Sequence, residues 1–145
     1  MNKIFLDNNS TTPIDSDVLE VMIPFFKTKF GNSSSKTHSF GWEAEASVEI
    51  AREQITNLIH CESNQIVFTS GATESNNIVL LNTLNQNKKH IITMNTEHKA
   101  IIDICNHLNK SHDINITYMN PNKNGIVDIE KLTKLISNKT CMVSI

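Results

Sequence analysis

The chain has 145 residues, of which 39% are hydrophobic and 19% charged, and its formal net charge is −2 at pH 7. This size and composition are typical of one globular domain or part of one. Arg52 is the single arginine and no basic face is indicated, so nucleic acid and anionic membranes are not expected partners. No apolar run has the length of a membrane span, and the first seven residues are too short and too polar for a signal peptide, so we expect a cytoplasmic location.

The cysteines, Cys61, Cys105 and Cys141, are widely spaced, and no Cys-x-x-Cys pair occurs. An odd set with this spacing fits neither a disulfide framework nor a zinc site. We therefore expect reduced, mostly buried thiols and no bound metal.

The first part of the chain predicts a short extended segment, a polar turn and two helices. Lys3–Asp7 is extended, and the polar residues 8–13 end it. Asp15 or Ser16 can cap a helix, which Pro24 is expected to kink or shorten. The apolar side of this helix carries Val18, Leu19, Met22, Ile23 and Phe26.

A loop and the longest helix are predicted next. Residues 30–41 are rich in small side chains, but two phenylalanines and His38 favour an ordered surface loop over a linker. From Trp42 to Ile59 apolar residues recur at helical spacing between charged ones, which predicts a long amphipathic helix.

Residues 66–76 combine strand, turn and helix signals. Ile66–Thr69 is an apolar run suited to a buried parallel strand, Gly71 permits a tight turn, and Thr73 and Ser75 can cap the helix that follows. We expect the apolar side of that helix to carry Ile78, Val79, Leu81 and Leu84. The N–H groups and positive dipole end of such a helix can bind a phosphate. The alternative is a strand–turn–helix whose hydroxyl groups only satisfy their own helix, and the segment is neither a Walker loop nor a dinucleotide fingerprint.

The rest of the chain predicts alternating strands and helices. Strands are expected at His90–Met94, Ile114–Met119 and Cys141–Ile145, with one helix from about Ala100 and another capped by Asp128. This alternation predicts an α/β fold with a largely parallel sheet. Because ligands bind at the carboxyl ends of parallel strands, we expect residues 69–75 and 95–98 at one site.

The last predicted strand has no helix after it to cover its apolar side chains. We therefore expect a chain truncated at its carboxyl end, with an amino-terminal segment and loop at 1–15 and an incomplete cofactor-binding α/β domain at 16–145.

Four motifs occur in the order and spacing typical of one enzyme family. They are Asp7–Pro13, Gly31–Gly41, Phe68–Asn77 and Thr96–Ala100. Together they resemble the cysteine desulfurases of the iron–sulfur-cluster and nitrogen-fixation type, within the class V aminotransferase superfamily. The resemblance implies the amino-terminal part of the large domain of a homodimeric, type I pyridoxal 5′-phosphate-dependent enzyme. It also implies removal of sulfur from L-cysteine, leaving alanine and a persulfide, whose sulfur passes to iron–sulfur scaffold proteins and to tRNA thiolation.

The resemblance also suggests roles for individual residues. Ala72 and Thr73 resemble the residues that bind the cofactor phosphate, and His98 resembles the histidine that stacks on the pyridine ring and moves protons. From the residues alone, His98 is better explained as a capping or surface histidine. Asn32 and His38 fall in the motif near the substrate entrance.

Other catalytic groups of the family are expected beyond residue 145. These are the lysine that binds the cofactor covalently, the aspartate that pairs with the pyridinium nitrogen, the persulfide cysteine and the arginine that binds the substrate carboxylate. Lys99 belongs to a different motif, and none of the three cysteines is expected to be catalytic. Two hypotheses remain open: a cysteine desulfurase represented by its amino-terminal part and inactive alone, or a non-catalytic remnant that pairs with a complementary or full-length subunit as a binding module.

Overall fold

A computed structural model describes residues 3–145, which separate into two compact units. One unit extends to Val67 and the other is Phe68–Ile145. The division at residues 15 and 16 expected from the sequence concerns domain organisation and stays a prediction.

The first unit contains α1, Ser16–Lys27, and α2, Ser39–Ile59. The Asp15 carboxylate caps α1 by accepting the N–H groups of Asp17 and Val18, at 2.9 and 3.4 Å. The helix continues through Pro24 and ends one turn later. None of its residues is buried within the described chain: on the predicted apolar side Met22 is half-buried, and the other members, Val18, Leu19, Ile23 and Phe26, are exposed.

The loop before α2 is held by close backbone packing. A Cβ atom on Gly31 would lie 1.9 Å from the carbonyl oxygen of Phe40, and one on Gly41 would lie 1.9 Å from that of Ser35. The Trp42 indole donates to the Lys36 carbonyl at 2.8 Å. The loop is therefore held in place, but it ends at His38, because α2 begins at Ser39, before the predicted start at Trp42. The predicted long helix is confirmed.

The predicted strand at Ile66–Thr69 is wrong. Ile66 has the extended angles φ −95° and ψ 127°, but residues 66–69 join no strand of the sheet, and Val67 and Phe68 are exposed. β-favouring side chains promote an extended backbone, whereas a strand also needs a neighbour to complete its hydrogen-bond ladder. The described sheet supplies no such neighbour to this segment.

The second unit is built on a three-stranded parallel sheet, in the order β2-β1-β3. The strands are β1, His90–Met94; β2, Asn115–Met119; and β3, Thr140–Ser144. The helices are α3, Ala72–Leu81; α4, Lys99–His112; and α5, Ile129–Leu135. The predicted α/β class and parallel sheet are confirmed.

Both faces of the central strand are covered. Ile91 packs with α3 and α4, where the buried residues are Leu80, Ile101, Ile104, Cys105 and Leu108. Ile92 and Met94 face the other way and pack with Met119 and with side chains around α5. Ile91, Ile92 and Met94 are thus buried on the two faces, and such a short stretch of β-favouring residues between polar segments explains why His90–Met94 is predicted correctly from the sequence.

The apolar side expected for α3 differs from the buried one. Leu80 is 2% exposed and enters the core, whereas Ile78, Val79 and Leu81 are exposed within the described chain. Leu84 lies in a 3₁₀ turn, Asn82–Asn85, and packs against the core as predicted. Residues 78–81 are all apolar, so the sequence alone does not show which side of the helix is buried. Packing against α4 buries Leu80.

Candidate functional site

The candidate site begins where α3 starts, directly after Gly71. Gly71 is the N-cap residue, and α3 has no side-chain cap. The N–H groups of Ala72 and Thr73 therefore point out of the first turn with no capping side chain across them. With the positive end of the helix dipole behind them, they are suited to an anion.

Gly71 adopts a backbone conformation that other residues avoid. Its φ is 157° and its ψ is −176°, a combination found almost only in glycine. A Cβ atom would meet nothing within 4 Å, so the conformation, and not lack of space, requires glycine here. The open space lies where the chain turns into α3.

The carbonyl oxygen of Gly71 is occupied by donors from both sides of the turn. The Ser75 N–H donates to it at 3.1 Å, and the hydroxyl groups of Thr69 and Ser75 each lie 3.3 Å from it. Those two hydroxyl oxygens are 2.7 Å apart. The Gly71 carbonyl oxygen is thus hydrogen-bonded within the turn. The N–H groups of the first turn of α3 are the backbone groups that remain to face a ligand.

His98 caps the start of α4 after the end of β1. Its Nδ1 accepts the N–H of Ala100 at 3.1 Å, and its ring is exposed. An accepting Nδ1 carries no proton, so in this arrangement the proton of the neutral ring is on Nε2. The imidazole of His98 therefore caps α4, as the residues alone suggest, and its Nε2 remains available as a donor.

The starts of α3 and α4 share a surface. Thr73 and Ala100, the second residue of each helix, line one open depression of about 290 Å³, together with Asn77, Asp103, Ile104 and His107. Thr73 lines this depression, whereas Ala72 and His98 are not among its lining residues. Their roles toward a cofactor stay predictions.

Asn32 and His38 belong to the other unit and make local contacts. The Asn32 side-chain oxygen accepts the Ser34 N–H at 2.9 Å, and His38 Nδ1 accepts the Gly41 N–H at 3.2 Å as the N-cap of α2. These contacts order the loop at 30–41. The expected place of both residues near the substrate entrance stays a prediction.

The cysteines are free thiols. Burial, with a smaller contribution from Glu97, raises the pKa of the Cys105 thiol, which disfavours the thiolate. Cys61 and Cys141 are half-buried. Within residues 3–145, no group of three or more His, Cys, Asp or Glu side chains is placed to hold a metal ion. The same residues contain no helix long and apolar enough to cross a membrane.

Comparison with known proteins identifies the family. The model of the family described as aminotransferase class-V matches residues 4–145. The chain belongs to the aminotransferase class-V family.

Curated relatives of this class-V chain include cysteine desulfurases. Cysteine desulfurase IscS of Rickettsia prowazekii (strain Madrid E) is 49% identical over 145 residues, which are 98% of this chain and 35% of that protein. The mitosomal cysteine desulfurase of Encephalitozoon cuniculi (strain GB-M1) is 49% identical over 148 residues, covering 99% of this chain and 34% of the relative. The class-V chain thus spans about a third of the length of these curated relatives.

Solved structures agree with the fold. A NifS-like protein superposes with a TM-score of 0.85 at 37% identity, covering 94% of this class-V chain and 38% of the other. SspA, solved in complex with cysteine, superposes with a TM-score of 0.81 at 30% identity, covering 92% and 39%. The resemblance and the fold class predicted from the sequence are confirmed: the chain has the fold of part of the type I pyridoxal-phosphate-dependent enzymes.

The cofactor that the class-V family implies is pyridoxal 5′-phosphate, and the start of α3 fits its phosphate group. The first turn of α3 has no side-chain cap, and the Gly71 carbonyl is already satisfied. The N–H groups of the first turn of α3 therefore face outward, and the Gly71 carbonyl oxygen does not compete with a ligand for them. The Thr73 hydroxyl, on the second residue of α3, is a further possible donor.

Two further residues, Ser70 and Glu74, contribute to this turn, and no role is predicted for either from the sequence. The Glu74 carboxylate accepts both the N–H and the hydroxyl group of Ser70, at 2.6 and 2.7 Å. The signal is a serine followed four residues later by a glutamate, close to the three-residue spacing of a capping box. Because Gly71 separates Ser70 from the helix, the spacing alone does not indicate this contact.

Proposed function

We propose that this chain forms the phosphate-binding and ring-facing part of a pyridoxal 5′-phosphate-dependent cysteine desulfurase. Such an enzyme removes sulfur from L-cysteine and leaves alanine and an enzyme persulfide. The observation that carries the proposal is the uncapped start of α3 after Gly71, in a class-V chain with cysteine desulfurases among its relatives.

The residues at the start of α3 bind the phosphate in this proposal. The N–H groups of Ala72 and Thr73 and the Thr73 hydroxyl donate to its oxygens, and the helix dipole favours its negative charge. When bound, the cofactor supplies an electron sink for the carbanion chemistry of the amino acid. The protein groups hold the cofactor in one orientation.

His98 faces the ring and moves a proton at Nε2. Its Nδ1 is occupied by the Ala100 N–H, which fixes the orientation of the imidazole and leaves Nε2 for the reacting groups. A histidine that also caps a helix is held by the backbone, so it contributes a positioned acid–base group.

The wider properties belong to the same proposal. They are a homodimer, a cytoplasmic location, transfer of sulfur to iron–sulfur scaffold and other acceptor proteins, and a contribution to tRNA thiolation. Asn32 and His38 are proposed to border the substrate pocket. The alternative function is a non-catalytic binding module that pairs with a complementary or full-length subunit.

The test joins this chain to the remainder of the Rickettsia prowazekii relative, of which it matches 35%. Alanine formation from L-cysteine is measured at saturating cofactor. We expect His98→Ala to slow turnover by about 10²–10⁴-fold, the usual contribution of general acid–base catalysis. Thr73→Ala should instead weaken cofactor binding by about tenfold, which excess cofactor restores, because it removes a hydrogen bond to a charged group.

A matched control is Thr133→Ala, which removes an exposed helical threonine of α5 that donates to the Ile129 carbonyl. It should leave turnover and cofactor affinity unchanged. Near-parental turnover of His98→Ala would refute the role of His98. A fusion that binds no cofactor would refute the desulfurase proposal and favour the binding module.

A further inference from the structure

A carboxylate lies at the helix end proposed to bind phosphate. Glu74 is the third residue of α3 and the acidic residue of its first turn. A negative charge there stabilises the helix through the dipole, but it also opposes an incoming anion. The position of Glu74 therefore needs a reason beyond the dipole.

The contacts of Glu74 reach across Gly71. One oxygen, Oε2, accepts the Ser70 N–H at 2.6 Å and the Ser70 hydroxyl at 2.7 Å. In a capping box, the acidic residue at this helix position would bond the N-cap N–H, here that of Gly71. Glu74 instead bonds the residue before the N-cap, so it spans the whole turn.

We propose that Glu74 is a positioning residue that braces Ser70 across Gly71 and so holds the first-turn N–H groups of α3 toward the phosphate. The inference rests on the proposed function, since it concerns the same phosphate-binding turn. Glu74 itself donates nothing to the phosphate. It acts through the geometry of residues 70–73.

The physical reason for a brace is the freedom of Gly71. A glycine in this unusual conformation gains many alternative backbone states when nothing restrains it. A change in the Gly71 ψ rotates the Gly71–Ala72 peptide, so that the Ala72 N–H no longer points with the Thr73 N–H toward a common point. Binding then has to order the turn, and a turn ordered beforehand binds more tightly.

A second contact braces the same turn from the other side. The hydroxyl groups of Thr69 and Ser75 lie 2.7 Å apart and converge on the Gly71 carbonyl. Residues 69 and 70 are thus each tied to the first turn of α3. Glu74 is the charged residue among these four. Its pKa is held below the ordinary value, mainly by the hydrogen bond from the Ser70 hydroxyl and secondly by that from the Ser70 N–H.

Two substitutions of Glu74 separate its hydrogen bonds from its charge. Glu74→Gln keeps an oxygen that can accept from Ser70 but removes the charge, whereas Glu74→Ala removes both. If Glu74 acted only through charge, both variants would bind phosphate more tightly than the parent, and equally. If it braces the turn, Glu74→Ala binds less tightly than Glu74→Gln.

The experiment measures the dissociation constants of pyridoxal 5′-phosphate and of inorganic phosphate by isothermal titration calorimetry, with the fusion to the remainder of the Rickettsia prowazekii relative as the parent and its Glu74 variants beside it. We expect Glu74→Gln to bind both at least as tightly as the parent. Glu74→Ala should bind about fivefold more weakly than Glu74→Gln, the effect of losing about one net hydrogen bond. Pyridoxal without phosphate should not distinguish the two variants.

The control substitution is Glu130→Ala, which removes the acidic residue in the first turn of α5. It should change neither dissociation constant. A second readout needs no ligand: amide hydrogen exchange of Ser70 should be slow in the parent and in Glu74→Gln, and about fivefold or more faster in Glu74→Ala, for the same loss.

The outcomes separate the two proposals. Equal phosphate affinities of Glu74→Ala and Glu74→Gln, in a chain that binds the cofactor, overturn the positioning role and leave the proposed function standing. Absence of binding by the parent overturns the proposed function and with it the positioning role, even where Ser70 exchange responds to Glu74→Ala.

Discussion

At the scale of single residues, two buried threonines differ in what their hydroxyl groups contact. The Thr83 hydroxyl donates to the Leu80 carbonyl at 2.6 Å. The Thr93 hydroxyl, in the central strand, is buried and has no hydrogen-bond partner among residues 3–145. A buried polar group without a hydrogen bond destabilises the folded state, and a hydrogen bond to it offsets most of that cost.

We therefore expect opposite effects from the same substitution. Thr93→Val should raise the free energy of unfolding by about 1 kcal/mol, because a methyl group replaces an unsatisfied hydroxyl of similar shape. Thr83→Val should lower it by about 1 kcal/mol, because it deletes a bonded hydroxyl. Urea denaturation of the chain measures both; destabilisation by Thr93→Val would mean that its hydroxyl has a partner in solution.

At the scale of elements, the start of α2 depends on a glycine inside a helix. Gly41 is buried, and alanine there would place a Cβ atom 1.9 Å from the Ser35 carbonyl oxygen. Alanine is favoured over glycine in helices by about 1 kcal/mol, but a backbone clash of this kind requires the loop to move.

Gly41→Ala should lower the free energy of unfolding by about 1–3 kcal/mol, the usual cost of overpacking, despite the gain in helix propensity. The comparison is Gly125→Ala, where a Cβ atom meets open space and the strain comes only from a φ of 79°; it should cost about 1–2 kcal/mol. Thermal denaturation followed by circular dichroism measures both. A raised melting temperature for Gly41→Ala would contradict the close approach of the loop.

At the scale of the whole molecule, burial is concentrated in the unit Phe68–Ile145. Its core encloses the central strand between α4 on one face and the side chains around α5 on the other. In the other unit, α1 has no buried residue among those described. Substitutions of similar chemistry should therefore differ widely in cost between the two units.

Leu108→Ala should lower the free energy of unfolding by about 2–5 kcal/mol, because Leu108 is fully buried and its removal leaves a cavity. Leu58→Ala, at a residue 79% exposed in α2, should change it by less than about 0.5 kcal/mol. Chemical denaturation of each variant provides the comparison. A large cost for Leu58→Ala would show that a surface covers α2 in solution.

Much of this arrangement follows from local sequence. β1 and α4 are predicted correctly because a short stretch of β-favouring residues between polar segments predicts a strand, and apolar residues at helical spacing predict a helix. The glycine turn before α3 is predicted because Gly71 permits a conformation that other residues avoid. His98 is predicted both as a cap and, by resemblance, as a ring-facing histidine; the cap is present, and the second role stays a prediction.

The sequence by itself determined the family, the α/β class and the position of the glycine turn before α3, because these depend on motifs and on the periodicity of neighbouring residues. Tertiary structure alone decided three further points: that residues 66–69 stay outside the sheet, that Leu80 is the buried residue of α3, and that Glu74 bonds Ser70 across Gly71. Each depends on which groups meet in space, since strand pairing, burial and a side-chain brace all need a partner that local preferences do not specify.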